Sequence, residues 1–534
     1  MRPSPRSTGA SEAKAISATS ATQRTDPRVI IRDSLDGFPV AGKPGLPISR
    51  KGLAMRTTLL PACWTLLTVL TPSPILADDL EEQDPAYYHT GELAGSLRSN
   101  NPLPLFDADP QHLWNRLFAA VTIRPSRLPS VRGGPPVARI EGGDRIEFFG
   151  WGGTTYWDES ANVAQLERLL VELLERGGEK LSTDPLKRVL LQHDLWTLFD
   201  FLTVRHIARF GDLETRRRRN EVCRKLARAI QLLALPPEML ASLPDNYSLA
   251  IQSGRFSATH DFDAKRDYLP PRLLSGDDEW QELDFYQAHR SEDVERRYVF
   301  LHMRAFQGRS YFRVFCRFPE RRLQLERYLR DLDAKGIDWR ASAQHGSIAL
   351  TPDAPKLPAG TEVALLQSLI ALDADLRLVP TPIVESVRLL IFKGVDGAAD
   401  PGTNLKNGVN AAKYTLKRRL ALADGGMQHG GLQREPDDLP VYRVLFESEA
   451  VRDWGSRGRY YTLTADCRSC HSGAGRTGVQ MIGSIINTAS VDSGAAMGVS
   501  HALPAGAPSP HAARAVKWKT AEETYRRLLE FLGL

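Results

Sequence analysis

The stretch YFRVFCRF, residues 311–318, alternates apolar and polar side chains in the way that is typical of a β-strand. The run YVFLHMRAF, residues 298–306, precedes it across a short Gly-containing connection, so the two runs predict a β-hairpin. Three more β-like runs follow, separated by Pro-rich segments: SIALT at 347–351, VALLQSLIAL at 363–372 and VESVRLLIF at 384–392. Residues 291–395 are therefore predicted to be a β-rich region with an antiparallel sheet.

The region before this sheet, residues 78–290, is predicted to be rich in helices. Residues 163–174 carry apolar side chains on one helical face, and Gly177 follows where a helix would end. A second helical pattern runs through 186–210 with a thick aromatic stripe, and a third runs through 214–235.

The region after the sheet divides into two parts. Residues 396–440 are rich in Gly, Asn and Ala, which predicts a loop or linker. Residues 441–534 read as mostly helical or irregular, and 519–532 have the pattern of a terminal helix. The predicted fold class is thus α+β: a helix-rich N-terminal portion, an antiparallel β-rich middle region and a C-terminal segment.

The positive charge of the chain is concentrated at its beginning. The chain has 534 residues and a formal net charge of +5. Residues 1–77 hold ten Lys and Arg but four Asp and Glu, a net of +6, which leaves −1 for the remaining residues. This near-neutral remainder argues against a nucleic-acid partner.

Residues 55–77 have the pattern of a cleavable secretory signal. Arg56 supplies a positive charge, an apolar run follows, and a Pro-broken segment ends in the small residue Ala77. The apolar run is too short to cross a membrane, so we expect no transmembrane span after cleavage. Residues 1–54 are rich in Ser, Thr, Ala, Pro and Arg, which predicts a disordered or untranslated leader. The chain is expected to be exported, to a periplasmic or other extracytoplasmic location, with cleavage after Ala77.

The segment ADCRSCHSGAG, residues 465–475, contains the pattern CxxCH. Cys467 and Cys470 stand two residues apart and His471 follows directly. A redox dithiol would be expected at the start of a helix in a βαβ context, which is not evident here. A structural zinc site would need a second pair of ligands at a suitable spacing. A covalent haem site needs only these three residues.

This motif resembles that of the c-type cytochromes. The resemblance covers residues 440–534 at most, and it is carried by Cys467, Cys470 and His471. It implies one covalent haem c, with thioether bonds to the two cysteines and His471 as the proximal iron ligand. In that family the haem is attached outside the cytoplasm, which agrees with the predicted signal. The chain departs from the small soluble cytochromes because the helix expected before the motif is unclear.

The sixth iron ligand is open in the sequence. Met497 lies in a Gly-rich stretch after the motif and is the preferred distal ligand. Met481, His501 and His511 are the alternatives.

Three functions are compatible with this reading, and whether the chain is an enzyme is left open. The first is electron transfer through the haem to a redox partner protein. The second is a haem-dependent oxidoreductase, peroxidase-like, with an open iron position. The third is a binding or structural protein of the cell envelope that carries an accessory haem.

Several other residues invite a functional interpretation. Cys223 and Cys316 are either a disulfide or two buried free thiols. His193, Asp194 and His302 can be imagined in acid–base pairs, but each is interpreted as a structural residue, and no catalytic set is predicted.

Overall fold

The structure, a computed structural model, describes the greater part of the chain after residue 103. Every described residue belongs to one compact unit, which spans residues 75–534. The described residues are 104–122, 124–128, 137–141, 157, 160–203, 212–260, 267–284, 308–338, 340, 351–355, 357–392, 409–423, 426–435, 440–441, 462–463, 486–487 and 498–534.

A seven-stranded antiparallel sheet lies at the centre of this unit, in the order β13-β3-β4-β5-β6-β7-β8. The described strands are β1 (Arg124–Leu128), β2 (Val137–Glu141), β3 (Gln281–Asp284), β4 (Ser310–Arg317), β5 (Glu362–Leu372), β6 (Leu378–Phe392), β7 (Val409–Leu416), β8 (Leu432–Arg434), β9 (Pro440–Val441), β10 (Thr462–Leu463), β11 (Ile486–Asn487), β12 (Gly498–Val499) and β13 (His501–Ala502). Outside the large sheet, β1 pairs with β2, β9 with β10 and β11 with β12.

The middle strands confirm the predicted antiparallel sheet. Strands β4, β5 and β6 cover the runs predicted at 311–318, 363–372 and 384–392, except that β4 ends at Arg317, one residue before the first run ends. Every residue of β5 is buried, as its nearly continuous apolar sequence indicates for a strand covered on both faces. The predicted strand at 298–306 and most of 347–351 lie outside the described residues.

The predicted helices before the sheet are confirmed where the structure describes them. The described helices are α1 (Leu113–Thr122), α2 (Ser160–Glu175), α3 (Pro185–Thr203), α4 (Leu213–Leu233), α5 (Pro237–Ala241), α6 (Asn246–Gln252), α7 (Arg321–Asp331), α8 (Arg418–Leu422), α9 (His511–Ala521) and α10 (Glu523–Leu532). Helix α4 begins where it does because the Asp212 carboxylate accepts a hydrogen bond from the Thr215 amide at 2.8 Å.

Helix α3 is the central helix of the molecule. It is apolar around most of its circumference, and nearly all of its residues are buried. It contacts α1, α4 and α10 on one side and β5 on the other. Gln192 joins these layers, because its amide donates to the carbonyls of Ile230 at 3.2 Å and Leu372 at 3.0 Å. The helix-rich and β-rich regions therefore share one hydrophobic core.

The segment that was expected to be a loop or linker, 396–440, contains regular structure in its described part. Strand β7, helix α8 and strand β8 lie within it and extend the sheet. The glycines that suggested a loop include Gly430 and Gly431, which have positive φ in the turn before β8. In the described part of this segment, these two glycines therefore form a tight turn between regular elements and not a linker.

The C-terminal residues also differ from the expectation. The helix predicted at 519–532 is two helices, α9 and α10, because the backbone is extended at Glu522, with ψ 145°. Both helices pack on the central body, with α9 against β4 and β6 and α10 against α3 and α4. No helix among the described residues is both long enough and apolar enough to cross a membrane.

Candidate functional site

The predicted haem-attachment residues lie outside the described residues. This applies to Cys467, Cys470 and His471 and to the two methionines Met481 and Met497. It also applies to the predicted leader, 1–54, and the predicted signal, 55–77. The motif lies between two short pairings, because β9–β10 precedes it in the chain and β11–β12 follows it.

The two histidines considered as distal ligands have different environments. His501 lies on the edge strand β13 and is exposed. His511 is buried, and its Nε2 lies 2.9 Å from the Leu283 carbonyl. Because a carbonyl can only accept, this nitrogen carries the proton and is not available to iron. Of these two histidines, His501 is therefore the one with an accessible ring.

Cys223 and Cys316 are buried free thiols. Cys223 lies on α4 and Cys316 on β4, which excludes the alternative of a disulfide between them in this structure. Burial raises the pKa of the Cys223 thiol to about 12 and raises that of Cys316 as well. Neither thiol is a ready nucleophile, since the thiolate is the reactive form.

A cluster of buried charged side chains surrounds α3, and we call it the α3 charge cluster. Its members come from five elements or their ends: α3 supplies His193, Asp194 and Asp200, and the other members are Arg309 next to β4, Glu385 of β6, Arg418 of α8 and Lys519 of α9. Asp200 is fully buried, and its Oδ2 accepts hydrogen bonds from Arg309 and from Lys519, each at 2.6 Å. Burial lowers the pKa of Lys519, although the Asp200 charge opposes the shift.

The carboxylate of Glu385 enters this cluster through a β-bulge. The β5–β6 register pairs Gln367 with Ser386 and then Ser368 with Val384, so Glu385 is the extra residue of the bulge. Its Oε2 accepts hydrogen bonds from Ser310 at 2.5 Å and from Gln367 at 2.6 Å.

His193 approaches the other oxygen of Glu385. Its Nε2 lies 3.2 Å from Oε1, and both side chains are inaccessible to solvent. Burial lowers the pKa of His193 well below its ordinary value, and the charges of Arg309 and Arg418 lower it further. In a Ser-His-acid triad the histidine lies between the serine and the acid. Here the Glu385 carboxylate lies between Ser310 and His193, so these residues are not arranged to activate the serine.

Asp194 forms the third buried ion pair, with Arg418. The guanidinium makes two hydrogen bonds to the carboxylate, and it also lies 5.1 Å from the ring centroid of Phe118. Burial raises the pKa of Asp194 to about 6, although the Arg418 charge opposes the shift.

The α3 charge cluster balances its charges internally. Three carboxylates face three cations, and each of these side chains is 3% exposed or less. This arrangement joins helices to the sheet and presents no charged atom to solvent, so it has the properties of a structural network. The interpretation of His193 and Asp194 as structural residues agrees with this environment. The other members were missed, although an acid inside an apolar pattern, such as Asp200 in LWTLFDFL, is a usable signal of buried pairing.

In the described part of the chain, no group of three or more His, Cys, Asp or Glu side chains is arranged to hold a metal ion. The thiols and the imidazole of the CxxCH segment are by their donor chemistry suited to haem c. We therefore take this segment as the candidate functional site.

Comparisons of the chain with protein-family models, with curated proteins and with solved structures each find no match. The site is accordingly interpreted from its own residues.

Proposed function

We propose that this protein is exported and carries one covalent haem c, through which it transfers electrons to a partner protein. The observation that carries the proposal is the motif of Cys467, Cys470 and His471 in a chain that also contains a signal-like segment at 55–77. The two features are independent in sequence and agree in what they require, since both are expected of a protein that acquires its haem outside the cytoplasm.

The state of the other thiols supports the proposal. Cys223 and Cys316 are buried with raised pKa values, and Cys63 lies within the predicted signal. The motif thiols are therefore the pair that is suited to covalent attachment in the exported protein.

Each residue of the motif would have a distinct role at the haem. Cys467 and Cys470 would fix one edge of the porphyrin, and neutral His471 would bind the iron from the proximal side. The haem supplies an iron that accepts and returns one electron. Met497 is the preferred distal candidate, with Met481, His501 and His511 as alternatives, and the exposed ring of His501 is the more accessible of the two histidines.

The central test is expression in a host that matures c-type cytochromes. We expect a Soret band and a mass increase of one haem that resists denaturation. The Cys467→Ser/Cys470→Ser variant should lose both signals, whereas Cys223→Ala and Cys316→Ala, as matched controls, should keep them. A purified wild-type protein without a Soret band and without the mass increase would refute the proposal.

A spectroscopic test separates electron transfer from the peroxidase-like alternative. If a side chain of the protein holds the sixth position, the spectrum of the reduced protein should not change when carbon monoxide is added. Met497→Ala or His501→Ala should then open the site to carbon monoxide, according to which residue is the ligand. Carbon monoxide binding by the wild-type protein would favour the enzyme with an open iron position.

A further inference from the structure

The two ends of the segment that carries the CxxCH motif are attached to opposite edges of one sheet. Strand β8 is one edge and β13 is the other. Six strand-to-strand steps of about 4.8 Å separate these edges by roughly 29 Å. Residues 436–497, which we call the bridge segment, connect them.

The residues that follow the bridge segment attach to the sheet by hydrogen bonds and ion pairs. We call residues 498–534 the clasp. In the clasp, β13 pairs with β3, and the amide of Leu503 donates to the Glu282 carbonyl at 2.8 Å. Arg514 forms two hydrogen bonds with the carboxylate of Asp284, at 2.7 and 3.3 Å. These contacts complete one edge of the sheet.

A buried ion pair attaches the clasp to the central helix. Lys519 of α9 reaches Asp200 of α3 at 2.6 Å, and both side chains are fully inaccessible to solvent. The ammonium also lies 5.1 Å from the ring centroid of Trp196. Undocking of the clasp would remove Lys519 and leave the buried Asp200 carboxylate with only Arg309 of these two cations, so the ion pair favours the docked state.

The clasp also makes close aromatic contacts with the body, and it donates one further hydrogen bond to it. A Cβ added to Gly308 would lie 2.7 Å from the Trp518 ring, which shows how closely the body approaches α9. Phe531 of α10 makes an edge-to-face contact with Phe199 at 5.9 Å. The Tyr525 hydroxyl donates to the Leu376 carbonyl at 2.7 Å.

The clasp depends on the body for its stability. Helices α9 and α10 have 11 and 10 residues, lengths at which an isolated helix is marginal in water. We propose that the clasp docks as one unit on a body that ends at β8, and that these contacts, rather than the peptide connection through the bridge segment, hold it in place.

The proposal is tested by cutting the folded full-length chain. A protease site inserted between Gly478 and Val479 separates the clasp covalently from the body and the motif. We expect the two fragments to elute together in native buffer and to separate in denaturant. Cutting the Cys467→Ser/Cys470→Ser chain in parallel removes any contribution of haem ligation, so this test is independent of the proposed function. A clasp fragment that elutes alone in native buffer would overturn the proposal.

Variants of the cut chain identify what holds the clasp. Lys519→Met should raise the dissociation constant of the fragments about tenfold or more, because Asp200 loses a buried partner. Arg527→Ala is the matched control, since Arg527 pairs with Glu523 within α10, and it should stay within about threefold. If Lys519→Met does not fold, Arg514→Ala replaces it, with an increase of about fivefold or more expected. Equal constants for the test and control variants would contradict the proposed docking.

Discussion

His193 shows how strongly the α3 charge cluster controls a single side chain. Burial and the charges of Arg309 and Arg418 lower its pKa, while Glu385 lies 3.2 Å from its Nε2. In the unfolded chain a histidine titrates near pH 6.5. Unfolding in mildly acidic solution therefore takes up a proton at this position, which favours the unfolded state.

The first prediction concerns the pH dependence of stability. Because the pKa of His193 is lowered in the folded state, its contribution to the free energy of unfolding is present above pH 6.5 and is lost as the pH falls. We expect the difference between the wild type and His193→Gln to shrink by up to about 1.4 kcal/mol per pH unit between pH 6.5 and 5. Urea unfolding at several pH values measures it.

Subtracting the stability of His193→Gln from that of the wild type at each pH separates the contribution of His193 from that of Asp194. Asp194 has the opposite sign, because its raised pKa of about 6 gives a contribution that is lost as the pH rises through that value. His429→Gln, at an exposed position, is the control for removing a histidine. A wild-type-minus-variant difference that does not change with pH would contradict the prediction.

The CxxCH motif and the α3 charge cluster differ in how well they can be predicted from the sequence. The CxxCH motif is local, and five consecutive residues suggest its chemistry. The α3 charge cluster joins positions that are remote in sequence, since Lys519 is 319 residues from Asp200 and Arg418 is 224 residues from Asp194. A charge in an apolar pattern predicts a buried partner, but the identity of the partner depends on packing.

At the scale of elements, periodicity predicted α2, α4 and strands β4 to β6, where one apolar pattern persists over several turns or residues. It failed where the pattern is short or interrupted. Strand β7 includes Lys413, whose side chain is buried in the sheet, and its neighbouring glycines suggested a loop. The break at Glu522 is equally hidden, because α9 packs on β4 and β6 whereas α10 packs on α3 and α4.

The second prediction concerns the turn between α8 and β8. Gly430 has a φ of 73°, and a Cβ there would lie 2.2 Å from the Asn246 carbonyl oxygen. The Asn246 side chain fixes this position, because its amide donates to the carbonyls of Val384 and Gly430, each at 3.0 Å. Asn246 is fully buried and held by these hydrogen bonds, so it is not free to move away from an added methyl group. Gly430→Ala should therefore lower the free energy of unfolding by about 3 kcal/mol or more.

Gly254 provides the matched control for this turn. Its φ of 68° is nearly the same, but no atom lies within 4 Å of an added Cβ. Gly254→Ala should therefore cost about 1 kcal/mol, the backbone contribution alone. Equal losses in the two variants, measured by denaturant unfolding, would show that the contact with Asn246 does not restrict the turn.

At the scale of the whole molecule, the sequence predicted the class α+β but not the assembly of its parts. The helix-rich and β-rich regions were expected from changes of period along the chain, and these changes are real. Their shared core is a consequence of α3, which is apolar on the side that faces α4 and on the side that faces β5. Strand order and the identity of the edge strands follow from such contacts, which a one-dimensional pattern does not contain.

The third prediction tests this shared core through its two buried thiols. Cys223 lies on α4 and Cys316 on β4, and each is 1% exposed or less. If the helices and the sheet unfold together, both thiols should react with a thiol reagent at the same rate and with the same dependence on denaturant. Mass spectrometry of each peptide measures the two rates in a chain whose other cysteines are replaced by serine.

The comparison of the two rates distinguishes one cooperative unit from two. Two independent domains would expose Cys223 and Cys316 at different denaturant concentrations, because each domain would have its own free energy of unfolding. Replacing Gln192 by Leu removes the hydrogen bonds that join α3 to Ile230 and Leu372, and it should accelerate the labelling of both thiols together. Acceleration at Cys223 alone would mean that the helices open without the sheet, contrary to a single shared core.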